Sequence, residues 1–80
     1  MRIQLYDRGL PKGKKLFADL DAVCQRLQLD CSPEYFKDMS RAYAMGYQGN
    51  TILLINGEVA LIDKYPSQKE LENIISDFIK

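Results

Sequence analysis

Two sets of side chains in this sequence carry types that could do chemistry. The first is the pair of thiols, Cys24 and Cys31, the only cysteines in the chain. Thiol–disulfide exchange needs one thiolate to attack and a second thiol to resolve the mixed disulfide, so the pair could serve as an oxidoreductase or redox sensor. Free Cys is also among the most buried residue types, and the plainer account makes Cys24 a core residue on a helical stripe and Cys31 a half-buried strand residue. The second set is cationic: Arg8, Lys12, Lys14 and Lys15 crowd the approach to a predicted helix. Unpaired amides at a helix start with cations beside them make a site for a small anion, a phosphate or an acidic segment. No Gly-rich phosphate loop accompanies them, and a solvated cationic loop is the plainer account. The chain has no His, which removes the commonest general base. Two cysteines without further ligands at zinc spacing give no structural metal site, and no metal or cofactor is expected.

The elements that must position these residues are organised around Thr51 to Ile62, TILLINGEVALI. Asn-Gly between two apolar runs is the strongest short hairpin signal, because a type I′ turn needs positive φ at both central residues. The strands run over 51–55 and 58–63. Both arms are continuously apolar, which predicts a central pair covered on both faces. Upstream, Arg2 to Tyr6 alternates as a short strand with Ile3 and Leu5 on one face. Asp7 to Lys15 reads as a connection broken by Gly9, Pro11 and Gly13. Leu16, Leu20, Val23, Cys24 and Leu27 then recur at helical spacing, with Asp19, Asp21, Gln25 and Arg26 on a solvent-facing side.

Residues 31–36 read as a second strand, which Pro33 confines to a sheet edge for want of a backbone donor. Asp38 can cap a short helix over 39–45 that stops at Gly46. Ser67 and Glu70 match a capping box ahead of a final helix that buries Leu71, Ile74, Ile75 and Phe78. The order is β-α-β-α-β-β-α. A β-α-β unit crosses over to a parallel strand, whereas the hairpin is antiparallel. The expected fold class is therefore α/β, a mixed four-stranded sheet with helices on both faces, the first strand beside the hairpin and the Pro33 strand outermost.

Composition narrows the functional classes. Eighty residues make one domain over 1–80, with 46% apolar and 28% charged side chains and 11 basic against 11 acidic residues. No net field draws the chain to nucleic acid or a membrane surface. Its apolar runs fall far short of the roughly 20 residues that span a bilayer, and its N-terminus lacks a basic-then-apolar signal. The expected compartment is the cytoplasm.

Two segments stand out together, Gly9-Leu10-Pro11-Lys12-Gly13-Lys14-Lys15-Leu16 after the first strand and Asn50-Thr51-Ile52-Leu53-Leu54-Ile55-Asn56-Gly57 at the hairpin. With them the chain resembles the small thioredoxin/glutaredoxin-like family of redox-active disulfide proteins, in which a strand leads into Cys-Pro-x-Cys-Lys-Lys-Leu and a helix, with Thr-Pro-Ala-Leu-Val-Ile-Asn-Gly later. The likeness runs on through Pro66-Ser67 and Glu70-Leu71 and implies a thioredoxin-like fold. The motif residues are degenerate at Leu10, Pro11, Lys12, Gly13 and Thr51: Leu10 and Gly13 replace the cysteines, and Thr51 holds the cis-proline position. Neither Leu10 nor Gly13 can carry thiol chemistry. A cis bond before Thr51 would cost about 3 kcal/mol, so that bond is expected to be trans. The resemblance places the family's substrate groove at Leu10, Pro11, Tyr47 and Thr51, rimmed by Tyr43, Tyr47 and Tyr65. A redox-inactive scaffold that docks a peptide or protein there, with Leu10 as a contact point or homodimer seam, is the leading expectation. The Cys24–Cys31 thiol chemistry, and a small-anion or thiol-conjugate binding module at the start of the first helix, are its alternatives.

Overall fold

The computed structural model describes residues 1–79. Its elements are β1 (Ile3–Asp7), α1 (Pro11–Arg26), β2 (Glu34–Phe36), α2 (Ser40–Ala44), β3 (Thr51–Ile55), β4 (Glu58–Ile62) and α3 (Gln68–Ile79). They build one four-stranded sheet in the order β2-β1-β3-β4. β1 runs parallel to β2 and antiparallel to β3, and β3 and β4 form the hairpin. Asn56 (φ 54°) and Gly57 (φ 83°) supply the two positive dihedrals of its turn. The turn is tied to the start of β1 by Arg2 N–H donating to Asn56 Oδ1 at 2.9 Å and Asn56 N–H to Arg2 O at 2.8 Å.

Alternation along the strands divides the core between the two faces. Ile3, Leu5, Leu53, Ile55 and Leu61 pack with Leu16, Leu20, Val23 and Cys24 of α1 and Leu71 and Ile75 of α3. Tyr6, Ile52 and Leu54 turn the other way onto Met39 and Ala42 around α2. Helices therefore cover both faces. Ser67 and Glu70 exchange the capping-box bonds that start α3, Ser67 N–H to Glu70 Oε1 at 3.1 Å and Glu70 N–H to Ser67 Oγ at 3.3 Å. Asp38 Oδ1 accepts from Ser40 N–H at 2.9 Å at the start of α2.

Four expectations need correction. α1 begins at Pro11 instead of near Leu16, because Pro at the first helical position gives up no needed donor. Gly13, Lys14 and Lys15 are thus helical. β2 is confined to Glu34–Phe36, so Cys31 lies in the connector ahead of it. β4 is an edge strand with Val59 40% exposed, not half of a covered central pair. The outer side of α1 is not wholly solvent-facing either: Asp19 accepts from Gln68 Nε2 at 3.0 Å, and Arg26 pairs with Glu72 at 2.9 Å, joining α1 to α3. No helix among the described residues is long and apolar enough to cross a membrane.

Candidate functional site

The start of α1 meets the ends of three strands at one edge of the sheet, and a buried carboxylate lies where they converge. Asp7, the last residue of β1, has no solvent exposure. Its Oδ2 accepts from Gly9 N–H (2.9 Å), Leu10 N–H (3.0 Å) and the Tyr35 hydroxyl of β2 (2.7 Å). Its Oδ1 accepts from Thr51 Oγ1–H at 2.7 Å. Thr51 has spent its only proton on Asp7, so the Tyr65 hydroxyl, 2.8 Å away, donates to Thr51 Oγ1. The carboxylate thus gathers donors from the loop, β2 and β3, the set that a buried charge requires.

Gly13 completes this arrangement. A Cβ at position 13 would overlap the Asp7 carboxyl group. The first turn of α1 therefore rests directly on the acid, and the negative charge faces a helix N-terminus that favours it. Burial, reinforced by the hydrogen bond and charge of Asp7, pushes the Tyr35 phenol up to about 12, so it stays protonated at neutral pH. With its donors in place the carboxylate clamps the loop, β2 and β3 together beneath the start of α1.

Above the clamp the surface is open. Leu10 is 38% exposed, and Pro11, Lys12 and Lys14 are exposed beside it. Lys12 Nζ lies 5.7 Å from the centroid of the Tyr65 ring. A shallow hollow of about 290 Å³ runs alongside, lined by Lys12, Lys15, Leu16, Asp19, Tyr65 and Pro66.

The residues singled out from the sequence fall into separate places. Leu10 and Pro11 share the tip of α1, but Thr51 is fully buried beneath it and bonded to Asp7. Tyr47 packs against the second core with Met39 and Ala42. The four do not make one surface. The bond before Thr51 is trans, as every described peptide bond is. The cations diverge as well: Arg8 donates to the Tyr43 hydroxyl at 2.6 Å, Lys15 pairs with Asp19 at 3.0 Å, and Lys12 covers Tyr65. The loop amides of Gly9 and Leu10 are already taken by Asp7. Tyr43, in turn, donates to Gly49 O at 2.9 Å.

Cys24 and Cys31 are free thiols, Cys24 buried and Cys31 half-buried. Cys31 borders a hollow with Asn56 of the hairpin turn, at the end of the sheet remote from Thr51. No group of three or more His, Cys, Asp or Glu side chains among the described residues forms a metal-ligand set. Asp7 and Tyr35 escaped the sequence reading. The available signal was Asp7 two residues ahead of Gly9, the pattern of an aspartate that bonds its own backbone two residues on.

Compared with known family models, curated proteins and solved structures, the chain matches none at a significant level.

Proposed function

We propose that this chain is a thioredoxin-like domain without thiol catalysis at the start of its first helix, and that the tip of α1 docks an extended peptide or protein segment carrying apolar and acidic side chains. The sheet order with a parallel β1-α1-β2 unit and an antiparallel hairpin supports the thioredoxin-like reading. Leu10 and Gly13 give the helix start no nucleophile.

The observation that carries the docking reading is an exposed Leu10-Pro11 pair flanked by Lys12 and Lys14 on a clamped base. The first turn of α1 contains no acidic residue, and lysines there oppose the helix dipole. Among the described residues neither Lys12 nor Lys14 has an ion-pair partner. Apolar groups held outward on a clamped helix start need little further ordering on binding, and the lysines beside them suit a partner of opposite charge.

The test places a photoreactive side chain at position 10, and separately at position 59 as an exposed control on β4, and captures partners from native extract. A partner specific to position 10 is expected, lost with Leu10→Asp and weakened by salt or by Lys12→Glu with Lys14→Glu. Identical capture at positions 10 and 59, or capture indifferent to Leu10→Asp, would overturn the reading.

A further inference from the structure

A second site lies at the other end of the sheet and does not rest on the docking reading. α1 stops in a reversal built over Cys24: Leu27 N–H bonds Val23 O at 2.9 Å, Gln28 turns left-handed at φ 55°, and Leu29 N–H returns to Cys24 O at 3.1 Å. The connector that follows folds back, so that Leu29 and Cys31 pack on the apolar cluster containing Cys24. The two thiols thus share one apolar cluster, with Cys31 a neighbour of Cys24. They differ in access. Cys24 is 2% exposed, whereas Cys31 borders an open hollow of about 360 Å³ with Leu29, Asp30, Asn56 and Phe78.

We propose that Cys31 and Cys24 form a thiol–disulfide exchange site in which Cys31 reacts with a low-molecular-weight disulfide of the glutathione class and Cys24 then closes an internal disulfide. The Cys31 thiolate attacks one sulfur of the external disulfide, forming a mixed disulfide and releasing one thiolate, which takes up a proton. Cys24 attacks the Cys31 sulfur, forming the internal bond and releasing the second thiolate, which takes up the proton that Cys24 gives up. Two protein thiols are oxidised and one external disulfide is reduced to two thiols. The hollow gives the incoming disulfide and its leaving group room beside Cys31. Cys24, inside the core, is shielded from an external disulfide and has Cys31 as its neighbouring thiol. Burial first, and then the neighbouring Cys31, push the Cys24 thiol up to about 11, so it acts as the resolving thiol and not as the attacker. A bond between the end of α1 and the connector to β2 would pin that reversal, making the segment's mobility depend on thiol redox state.

The native protein is equilibrated across a series of reduced to oxidised glutathione, quenched by alkylation and read by intact-mass and peptide mass spectrometry. The expected result is a Cys24–Cys31 disulfide that reverts with reduced glutathione. Cys24→Ser should stall as a glutathione adduct at Cys31, and Cys31→Ser should leave Cys24 unmodified in the folded protein. Thiols that react only on unfolding would overturn the proposal, as would a disulfide between two copies, or a Cys31 adduct in the unsubstituted chain that never closes. Circular dichroism of both variants confirms that each reaction is read on a folded chain.

Discussion

Helix propensity and the clamp at Asp7 demand opposite signs from one substitution. Gly13 lies in the first turns of α1, and in an ordinary helix Gly→Ala stabilises by about 1 kcal/mol because Ala loses less backbone entropy. At position 13 the new methyl group would occupy the volume of the Asp7 carboxyl group. That group is held by donors from Gly9, Leu10, Tyr35 and Thr51 and has no solvent to retreat into. Overpacking alone costs about 1–3 kcal/mol, and any bond to the carboxylate lost in relief adds roughly 1.5–3 kcal/mol. With one such bond lost and the propensity gain returned, Gly13→Ala should destabilise by about 1.5–5 kcal/mol. A domain of this size shifts its Tm by roughly 4–8 °C per kcal/mol, so even the low end is a loss of about 6–12 °C.

The assay is urea and thermal unfolding followed by far-UV circular dichroism. In an Asp7→Ala background the overlap is gone, and Gly13→Ala should recover its ordinary stabilising sign. That change of sign is a coupling that only contacting residues show. Should Asp7→Ala unfold the chain, the single substitution still decides the matter. A more stable Gly13→Ala would refute the placement of the carboxylate against the first turn of α1.

Other consequences can be checked in the same assays. Tyr6 has a fully buried hydroxyl without a partner among the described residues, so Tyr6→Phe should be neutral or stabilising by up to about 1 kcal/mol, and a loss beyond that would mean the hydroxyl is in fact satisfied. Gln28 holds a left-handed dihedral at the end of α1, and Gln28→Gly should raise stability by roughly 0.5–1 kcal/mol in urea unfolding; a decrease would show that its side chain matters more than its backbone. Gln68 and, secondarily, Lys15 hold the Asp19 carboxyl below its usual 3.8. A depressed folded value adds stability that is present above 3.8 and lost as pH falls through the folded value, so Gln68→Ala should raise the Asp19 midpoint in an NMR titration and flatten the stability loss over that acid window.

The sheet was legible because its signals are local. Asn56-Gly57 specifies the turn, the apolar runs on either side of it specify strands, and Ser67 with Glu70 specifies the start of α3 whatever surrounds them. The start of α1 was not, because Gly9, Pro11 and Gly13 all look like breakers until a contact distant in sequence explains them. Pro11 suits a first helical position, and Gly13 is the residue that leaves space for Asp7. Only the pairing of β1 with β3, which sets Asp7 opposite Thr51, reveals that position 51 faces inward to the carboxylate and not outward to a groove. Tyr47 follows the same logic, since the reversal at Gly46 (φ 92°) returns its backbone N–H to Ala42 O and its ring to the second core. β4 has the composition of a covered strand, yet it forms the sheet's edge because no further strand joins it among the described residues. Composition records how apolar a strand is, whereas exposure depends on what lies beside it.

Asp7 also decides how the tip of α1 can recognise charge. An anion at a helix start is ordinarily held by backbone amides, and here the chain's own carboxylate occupies those of Gly9 and Leu10. Those two amides are closed to an external anion, and the ammonium groups of Lys12 and Lys14 beside them are flexible and strongly hydrated. A point contact of that kind is weak for a small ion and becomes useful only when an apolar segment seats on Leu10 and Pro11 at the same time. Inorganic phosphate at millimolar concentration should therefore leave the Gly9 and Leu10 amide resonances in place. An acidic peptide with apolar side chains should move Leu10 and Lys12 resonances in a salt-dependent way. Phosphate shifts centred on the Gly9 and Leu10 amides would mean that Asp7 yields its seat, and the clamp would then have to be read as a gated anion site instead of a fixed support.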